Sequence, residues 1–213
     1  VRVSLCFLSC DCWAISFYLS RCVGVFRCVY GTVYKGRWAV SYGTLRKTYG
    51  EYSQRCSQLA PGLVRLGVKP GDVVATLIPN LPAQAEAHFG VPACGAVLNT
   101  INIRLDVGTV AYIFDHGGAK VVLVDSQFME LAEAASEAME GPAPVLIEVA
   151  DDQAGWHASG RHTTYEDLLG KGDPDFDWLL PQDEWESLAL NYTSGTTGRP
   201  KGCPLYTPDA ADE

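Results

Sequence analysis

The sequence lacks the features that mark membrane-spanning and nucleic-acid-binding proteins. Its apolar run at 12–20 lies between Asp11 and Arg21 and is too short to cross a bilayer. The 213 residues include 16 Lys and Arg against 25 Asp and Glu, a formal net charge of -9, and no basic cluster. Because a basic face supplies much of the affinity for nucleic acid, this charge balance argues against a nucleic-acid partner.

Paired CxxC spacing is also lacking, although the chain has eight cysteines. Five of these fall within the first 28 residues, which is neither the even spacing of a disulfide-stapled domain nor the spacing of a zinc site. The chain starts at Val1, as a fragment, a processed product or an imperfect reading frame would. We expect residues 1–36 to be an atypical, Cys-rich and disordered or non-native segment. A metal site among Cys6, Cys10 and Cys12 is the less favoured alternative.

From Arg37 onward, apolar segments alternate with turn signals. The pattern predicts a kink or split at Pro61, and N-caps at Asp106 and Ser126. Strands and helices that alternate with short connections predict an α/β fold, a mostly parallel sheet with flanking helices. The predicted strands are 73–78, 96–100, 121–124, 145–149 and 188–192, and the predicted helices are 52–66, 82–89, 106–116, 126–139 and 165–169.

The last predicted strand leads into a ten-residue stretch, 193–202, that is rich in hydroxyl groups, glycines and cations. Glycines let backbone N–H groups approach an anion, hydroxyls donate to phosphate oxygens, and cations neutralise charge. Pro200 before Lys201 excludes a Walker A loop. Lys201 is the candidate catalytic residue of this stretch. The alternative interpretation is that 193–202 is only a mobile polar surface loop. The candidate binding residues are Thr193, Ser194, Gly195, Thr196, Thr197, Gly198, Arg199, Lys201 and Gly202.

This stretch, together with Tyr192, resembles the phosphate loop of the adenylate-forming enzymes, which are acyl-CoA synthetases, luciferases and nonribosomal adenylation domains. Upstream, GAVLNT at 95–100 and IRL at 103–105 resemble short- and medium-chain acyl-CoA ligases. The likeness covers most of the chain. It implies that residues 37–202 are a partial AMP-binding domain, from the N-terminal domain of the adenylate-forming ligase fold.

The resemblance also implies a reaction. A carboxylic acid attacks the α-phosphate of ATP to give an acyl-adenylate, and the thiol of coenzyme A then displaces AMP. ATP, Mg²⁺ and coenzyme A are the implied cofactors and co-substrates, and the loop would hold the β- and γ-phosphates. We expect a cytoplasmic location and no membrane span. Two alternatives stay open: a non-catalytic truncated product, and another adenylate-forming enzyme that activates aryl or amino acids.

After Gly202 the sequence departs from the resemblance, and residues 203–213 form a divergent tail. The adenine, acid, magnesium and ribose ligands, and the mobile domain with its catalytic Lys, are not found. The chain is therefore expected to be inactive alone and prone to aggregate. His88 and His116 are predicted to be partly buried structural residues. A metal site of His157 and His162 with two nearby aspartates is a weak alternative.

Overall fold

The chain is built around two sheets in the computed structural model, which describes residues 4–5, 33–179, 185–193 and 200–205. β1 (Ser4–Leu5), β2 (Trp38–Tyr42) and β3 (Leu45–Thr48) form a three-stranded antiparallel sheet. The seven-stranded main sheet has the order β10-β9-β5-β4-β6-β7-β8, and its neighbours are parallel except β10 with β9. Its strands are β4 (Val73–Leu77), β5 (Val97–Thr100), β6 (Ala119–Asp125), β7 (Val145–Val149), β8 (Thr163–Thr164), β9 (Ala189–Thr193) and β10 (Lys201–Leu205).

Helices cover both faces of the main sheet. The central strands β4, β5 and β6 are mostly buried on both faces, and their successive side chains point to opposite faces. Leu123 thus packs with α1, α2 and α5, whereas Val122 packs with α3 and α4. This arrangement confirms the predicted α/β fold. The helices are α1 (Tyr49–Arg65), α2 (Pro82–Gly90), α3 (Val107–His116), α4 (Met129–Glu137) and α5 (Tyr165–Gly170), with 3-10 turns at Pro92–Cys94 and Ser126–Phe128.

The sequence predicts a kink or a split at Pro61, of which the split is wrong and the kink stays a prediction. Helix α1 runs unbroken from Tyr49 to Arg65, and Pro61 lies buried inside it. A proline removes one helical hydrogen bond. Here Leu59 and Leu63, on either side of the proline, are fully buried, so packing offsets the loss.

Helix α1 also begins earlier than its apolar periodicity indicates. Thr48 and Glu51 form a capping box, in which the Glu51 carboxylate accepts from the Thr48 amide at 2.7 Å and the Thr48 hydroxyl accepts from the Glu51 amide at 3.3 Å. The β2–β3 hairpin just before it was not predicted. Its turn uses Gly43 at φ +54°, a conformation that glycine adopts without strain.

Of the two predicted N-caps, one is confirmed and the other is wrong. Asp106 caps α3 and accepts from the Thr109 amide at 3.0 Å. Ser126 is not a cap, because Asp125 takes that position and starts a 3-10 turn ahead of α4. The Ser126 hydroxyl instead donates to Glu148 at 3.0 Å, which secures the end of β6 to β7.

The Cys-rich segment falls almost entirely outside the described residues, and so does the metal site considered among its cysteines. Within the part of the chain that is described, Cys56 and Cys94 are buried free thiols and Cys203 is exposed. No helix among these residues is long and apolar enough to cross a membrane. The domain boundaries at 36 and 202 stay predictions.

Candidate phosphate-loop site

The candidate loop is anchored at both ends in a hairpin of the main sheet. Thr193 is the last residue of β9 and Lys201 is the first residue of β10, and the two are paired in antiparallel register. Residues 194–199, which include Ser194, Gly195, Thr196, Thr197, Gly198 and Arg199, lie outside the described residues. The structure thus brings Thr193, Lys201 and Gly202 together at the base of the loop.

The neighbouring strands determine where this loop emerges. Strand β9 runs parallel to β5, with Ala189 beside Leu98 and Asn191 beside Thr100. Thr193 therefore leaves the sheet at the carboxyl ends of its parallel strands. Ligands of open α/β sheets bind at this edge.

The two described residues that carry the candidate chemistry are accessible. Thr193 and Lys201 are exposed, and Pro200 between the loop and Lys201 is half-buried. Lys201 has no ion pair with any acidic residue in the described ranges. An exposed ammonium group beside a glycine- and hydroxyl-rich segment is suited to bind a phosphate anion.

Tyr192 connects the base of the loop to helix α3. His116 Nδ1 lies 2.8 Å from the Tyr192 hydroxyl oxygen, and the two rings meet edge to face with centroids 5.8 Å apart. Burial raises the pKa of Tyr192, so the phenol stays protonated at neutral pH. His116 is exposed, not partly buried as predicted, because it sits at the end of α3 where the helix leaves the core.

Asn99 lies on the same face of the sheet, under the end of α3. Its side chain is fully buried, and neither amide atom has a hydrogen-bond partner among the described residues. A Cβ atom on Gly117 would lie 3.2 Å from both Asn99 Nδ2 and the Tyr192 hydroxyl oxygen. The glycine therefore lets the helix end lie close against both polar groups.

A groove of about 860 Å³ opens beside α3 and reaches the end of the loop at Pro200. Its acidic residues are partly engaged, since Asp106 caps α3 and Asp115 accepts from the Gly141 amide at 3.1 Å. Carboxylates repel phosphates, so this groove is poorly suited to a polyphosphate chain. Its polar lining is Asp106, Thr109, Tyr112, Asp115, His116 and Glu140.

A second polar cluster, which the sequence did not reveal, lies on the other face of the sheet. Glu86 is fully buried and accepts from Lys47 at 2.9 Å, from Arg55 at 2.7 Å and from the Tyr165 hydroxyl at 2.9 Å. Burial, together with the nearby Glu86 charge, raises the pKa of Tyr165 and keeps it a donor. The only available signal was a lone acidic residue in the alanine-rich helix α2. The cluster ties together β3, α1, α2 and α5.

The remaining histidines have local partners. His157 pairs with Asp152 and His162 pairs with Glu133, each at 2.7 Å. The predicted alternative of a joint metal site gains no support, because residues 33–179, 185–193 and 200–205 hold no group of three His, Cys, Asp or Glu side chains suited to a metal. His88 is exposed, contrary to the prediction, and bonds only to the Gln84 carbonyl of its own helix.

Known proteins are similar to most of this chain. A family model described as "AMP-binding enzyme" matches residues 30–211. The peroxisomal acetate/butyrate–CoA ligase AAE7 of Arabidopsis thaliana is 43% identical over 185 residues, covering 82% of this chain and 32% of that protein. The 2-methylpropanoate–CoA ligase CCL4 of Humulus lupulus is 40% identical over 177 residues, covering 80% and 32%. This chain thus spans about a third of these relatives' length.

A solved structure confirms the fold. The anthranilate–CoA ligase AuaEII, crystallised with anthranoyl-AMP, superposes with a TM-score of 0.77 at 23% identity. The match covers 89% of this chain and 35% of that one. At this level of identity the likeness establishes the shared architecture.

Proposed function

Because the chain belongs to the AMP-binding enzyme family, we propose that it supplies the phosphate loop of an AMP-forming acyl-CoA ligase. Such an enzyme activates a carboxylic acid with ATP and transfers the acyl group to coenzyme A. The two relatives described above, which match most of this chain, are named as ligases of small aliphatic acids. These names favour an acyl-CoA ligase over an enzyme that activates aryl or amino acids.

The observation that carries the proposal is the pairing of Thr193 with Lys201 across the base of the loop. This pairing places a hydroxyl and an ammonium group side by side at the ligand-binding edge of the sheet. The sequence between them adds Ser194, Thr196, Thr197 and Arg199 as further donors. Together they form a donor set suited to the β- and γ-phosphates of ATP.

Lys201 is proposed to act electrostatically. As the acid oxygen bonds to the α-phosphorus, the bond to the bridging oxygen breaks and pyrophosphate leaves with increased negative charge. A cation placed there stabilises the transition state more than bound ATP. Mg²⁺ would neutralise phosphate oxygens in the same way, and we assign it no protein ligand among the described residues. The coenzyme A site is likewise left unassigned.

The proposal is tested in a chimera in which this chain replaces the matching third of the Arabidopsis acetate/butyrate–CoA ligase. The assay is ATP–pyrophosphate exchange with acetate, butyrate and 2-methylpropanoate, and the unmodified relative is the positive control. We expect exchange that depends on the added acid. A folded chimera that exchanges nothing with any acid would contradict the proposal. A smaller graft of residues 185–205 provides the same test if the larger chimera does not fold.

A further inference from the structure

The ring of Tyr192 is enclosed between strand β10 and the end of helix α3. Gly202 is its partner across the hairpin, and a Cβ atom there would lie 3.3 Å from Tyr192 Cζ. On the opposite side, His116 contacts both the hydroxyl and the ring edge. The His116 ring in turn lies 5.2 Å from that of Tyr112, centroid to centroid. We call Gly202, Tyr192 and His116 the loop clamp.

The loop clamp sits one residue pair from the candidate phosphate loop. Tyr192 pairs with Gly202, and the next pair is Thr193 with Lys201. Among the described strands, β10 lies at the edge of the sheet and pairs with β9 alone. The contact of Tyr192 with α3 therefore links this terminal hairpin to the covered part of the sheet.

We propose that His116 is a positioning residue, which holds Tyr192 and thereby fixes the position of Lys201 at the edge of the sheet. The expected effect on the rate of acyl-adenylate formation rests on the proposed function. The expected effect on the β9–β10 hairpin does not. The role given to Gly202 also changes. The resemblance places Gly202 in the phosphate loop. In the structure, its lack of a side chain leaves room for the Tyr192 ring.

If His116 were purely structural, its loss would change the stability of the fold and not the position of Lys201. The ring is exposed, and a hydrogen bond of this kind adds little to the stability of the fold. The position of a catalytic cation matters much more, because a displacement of about 1 Å can change a rate on the order of a hundredfold. Loss of the clamp should therefore affect the loop far more than it affects unfolding.

The first test uses the 213-residue chain and trypsin. Lys201 precedes Gly202, so trypsin can cut there once the β9–β10 hairpin opens, whereas Pro200 blocks the bond after Arg199. We expect Tyr192→Phe and His116→Phe each to speed cleavage after Lys201 by about fivefold, the equivalent of one hydrogen bond. The double variant should be no faster than either single one. His88→Phe, another exposed histidine, is the matched control and should leave cleavage unchanged.

The second test uses the chimera and single-turnover formation of acyl-adenylate. Tyr192→Phe and His116→Phe should each slow this step by about tenfold, with the KM for the acid and the unfolding midpoint unchanged. His116→Asn keeps a polar atom close to the position of Nδ1 and should recover most of the rate. An inactive parental chimera would count against the proposed function alone, since the cleavage test would still decide on the clamp. Multiplying effects in the double variant, or unchanged cleavage in both single variants, would overturn the clamp.

Discussion

Glu86 and Lys201 are the centres of two polar regions that differ in burial and in pairing. Glu86 is enclosed on the α1 side of the sheet, where two cations and a phenol surround its carboxylate. Lys201 is exposed at the sheet edge and has no acidic partner within the described ranges. A buried charge must be paired to be tolerated, whereas a cation that binds a ligand must remain available to it.

The Glu86 cluster on one side of the sheet is suited to stabilise the fold, and the region around Lys201 on the other side is suited to bind a ligand. The Glu86 cluster joins a hairpin and three helices and leaves no polar atom of the carboxylate free. The loop side instead carries Asn99, which has no side-chain partner in the described part of the chain, and the exposed ends of β9 and β10. Substitutions in the first region should change folding, and those in the second should change binding and rate.

The largest effect on folding is expected at Glu86. Glu86→Ala leaves Lys47, whose side chain is 15% exposed, and the buried Tyr165 hydroxyl without their acceptor, while Arg55 keeps its pair with Glu166. The free energy of unfolding should fall by about 3–5 kcal/mol, the usual cost of breaking a buried pair. Urea denaturation of the 213-residue chain measures this. A change below about 1 kcal/mol would show that the cluster behaves like a surface pair.

Asn99 should respond in the opposite direction. Asn99→Val removes a buried amide that has no partner among the described residues, and it suits a strand position. We expect the free energy of unfolding to rise by about 1 kcal/mol, since an unsatisfied buried group is costly. The same urea titration measures the change, with Asn80→Val, at an exposed position after β4, as the control. A clear loss of stability would mean that the amide has a partner in the folded chain.

The smallest effect is expected at Glu166, where the Glu86 cluster reaches solvent. Hydrogen bonds from Arg55 lower the pKa of Glu166 from its ordinary value of 4.5, although its side chain is 71% exposed. Because the folded-state pKa is the lower one, the pair stabilises the fold above pH 4.5 and the gain is lost as the pH falls through the folded value. Glu166→Gln should cost about 0.5 kcal/mol at pH 7.

The pH dependence of stability is the control for the Glu166→Gln prediction. The difference between the parental chain and Glu166→Gln should shrink as the pH falls below 4.5 and vanish below the folded-state pKa of Glu166, where both side chains are neutral. Thermal unfolding at several pH values measures it. A difference that persists at low pH would show that Glu166 contributes by packing and not by charge.

The local parts of this fold were predictable from sequence. Apolar periodicity located the helices and central strands, and the order of residues in 193–202 predicted a phosphate loop, which stays a prediction. The order of the strands was not predictable, because it depends on pairings such as β5 with β9 that local patterns do not encode. The half-exposed β2–β3 hairpin and the two-residue strand β8 gave too weak a pattern to be recognised.

The supporting contacts of the site were equally hidden. His116 and Tyr192 are 76 positions apart, and Glu86 and Tyr165 are 79 apart, so only the folded topology brings them together. A histidine at the end of an amphipathic helix gives no sign of which strand it will meet. Sequence thus identified the residues suited to chemistry, and the structure identified those that hold them in place.

The most direct test of the account is Lys201→Ala in the chimera, by single-turnover formation of acyl-adenylate at saturating ATP. We expect the activation free energy to rise by about 3 kcal/mol, which slows the step on the order of a hundredfold. ATP binding should weaken much less. Thr196→Ala removes a neutral donor and should cost only about 1 kcal/mol. The unfolding midpoint should not change. A parental rate for Lys201→Ala would contradict the assignment of residues 193–202 as a phosphate loop.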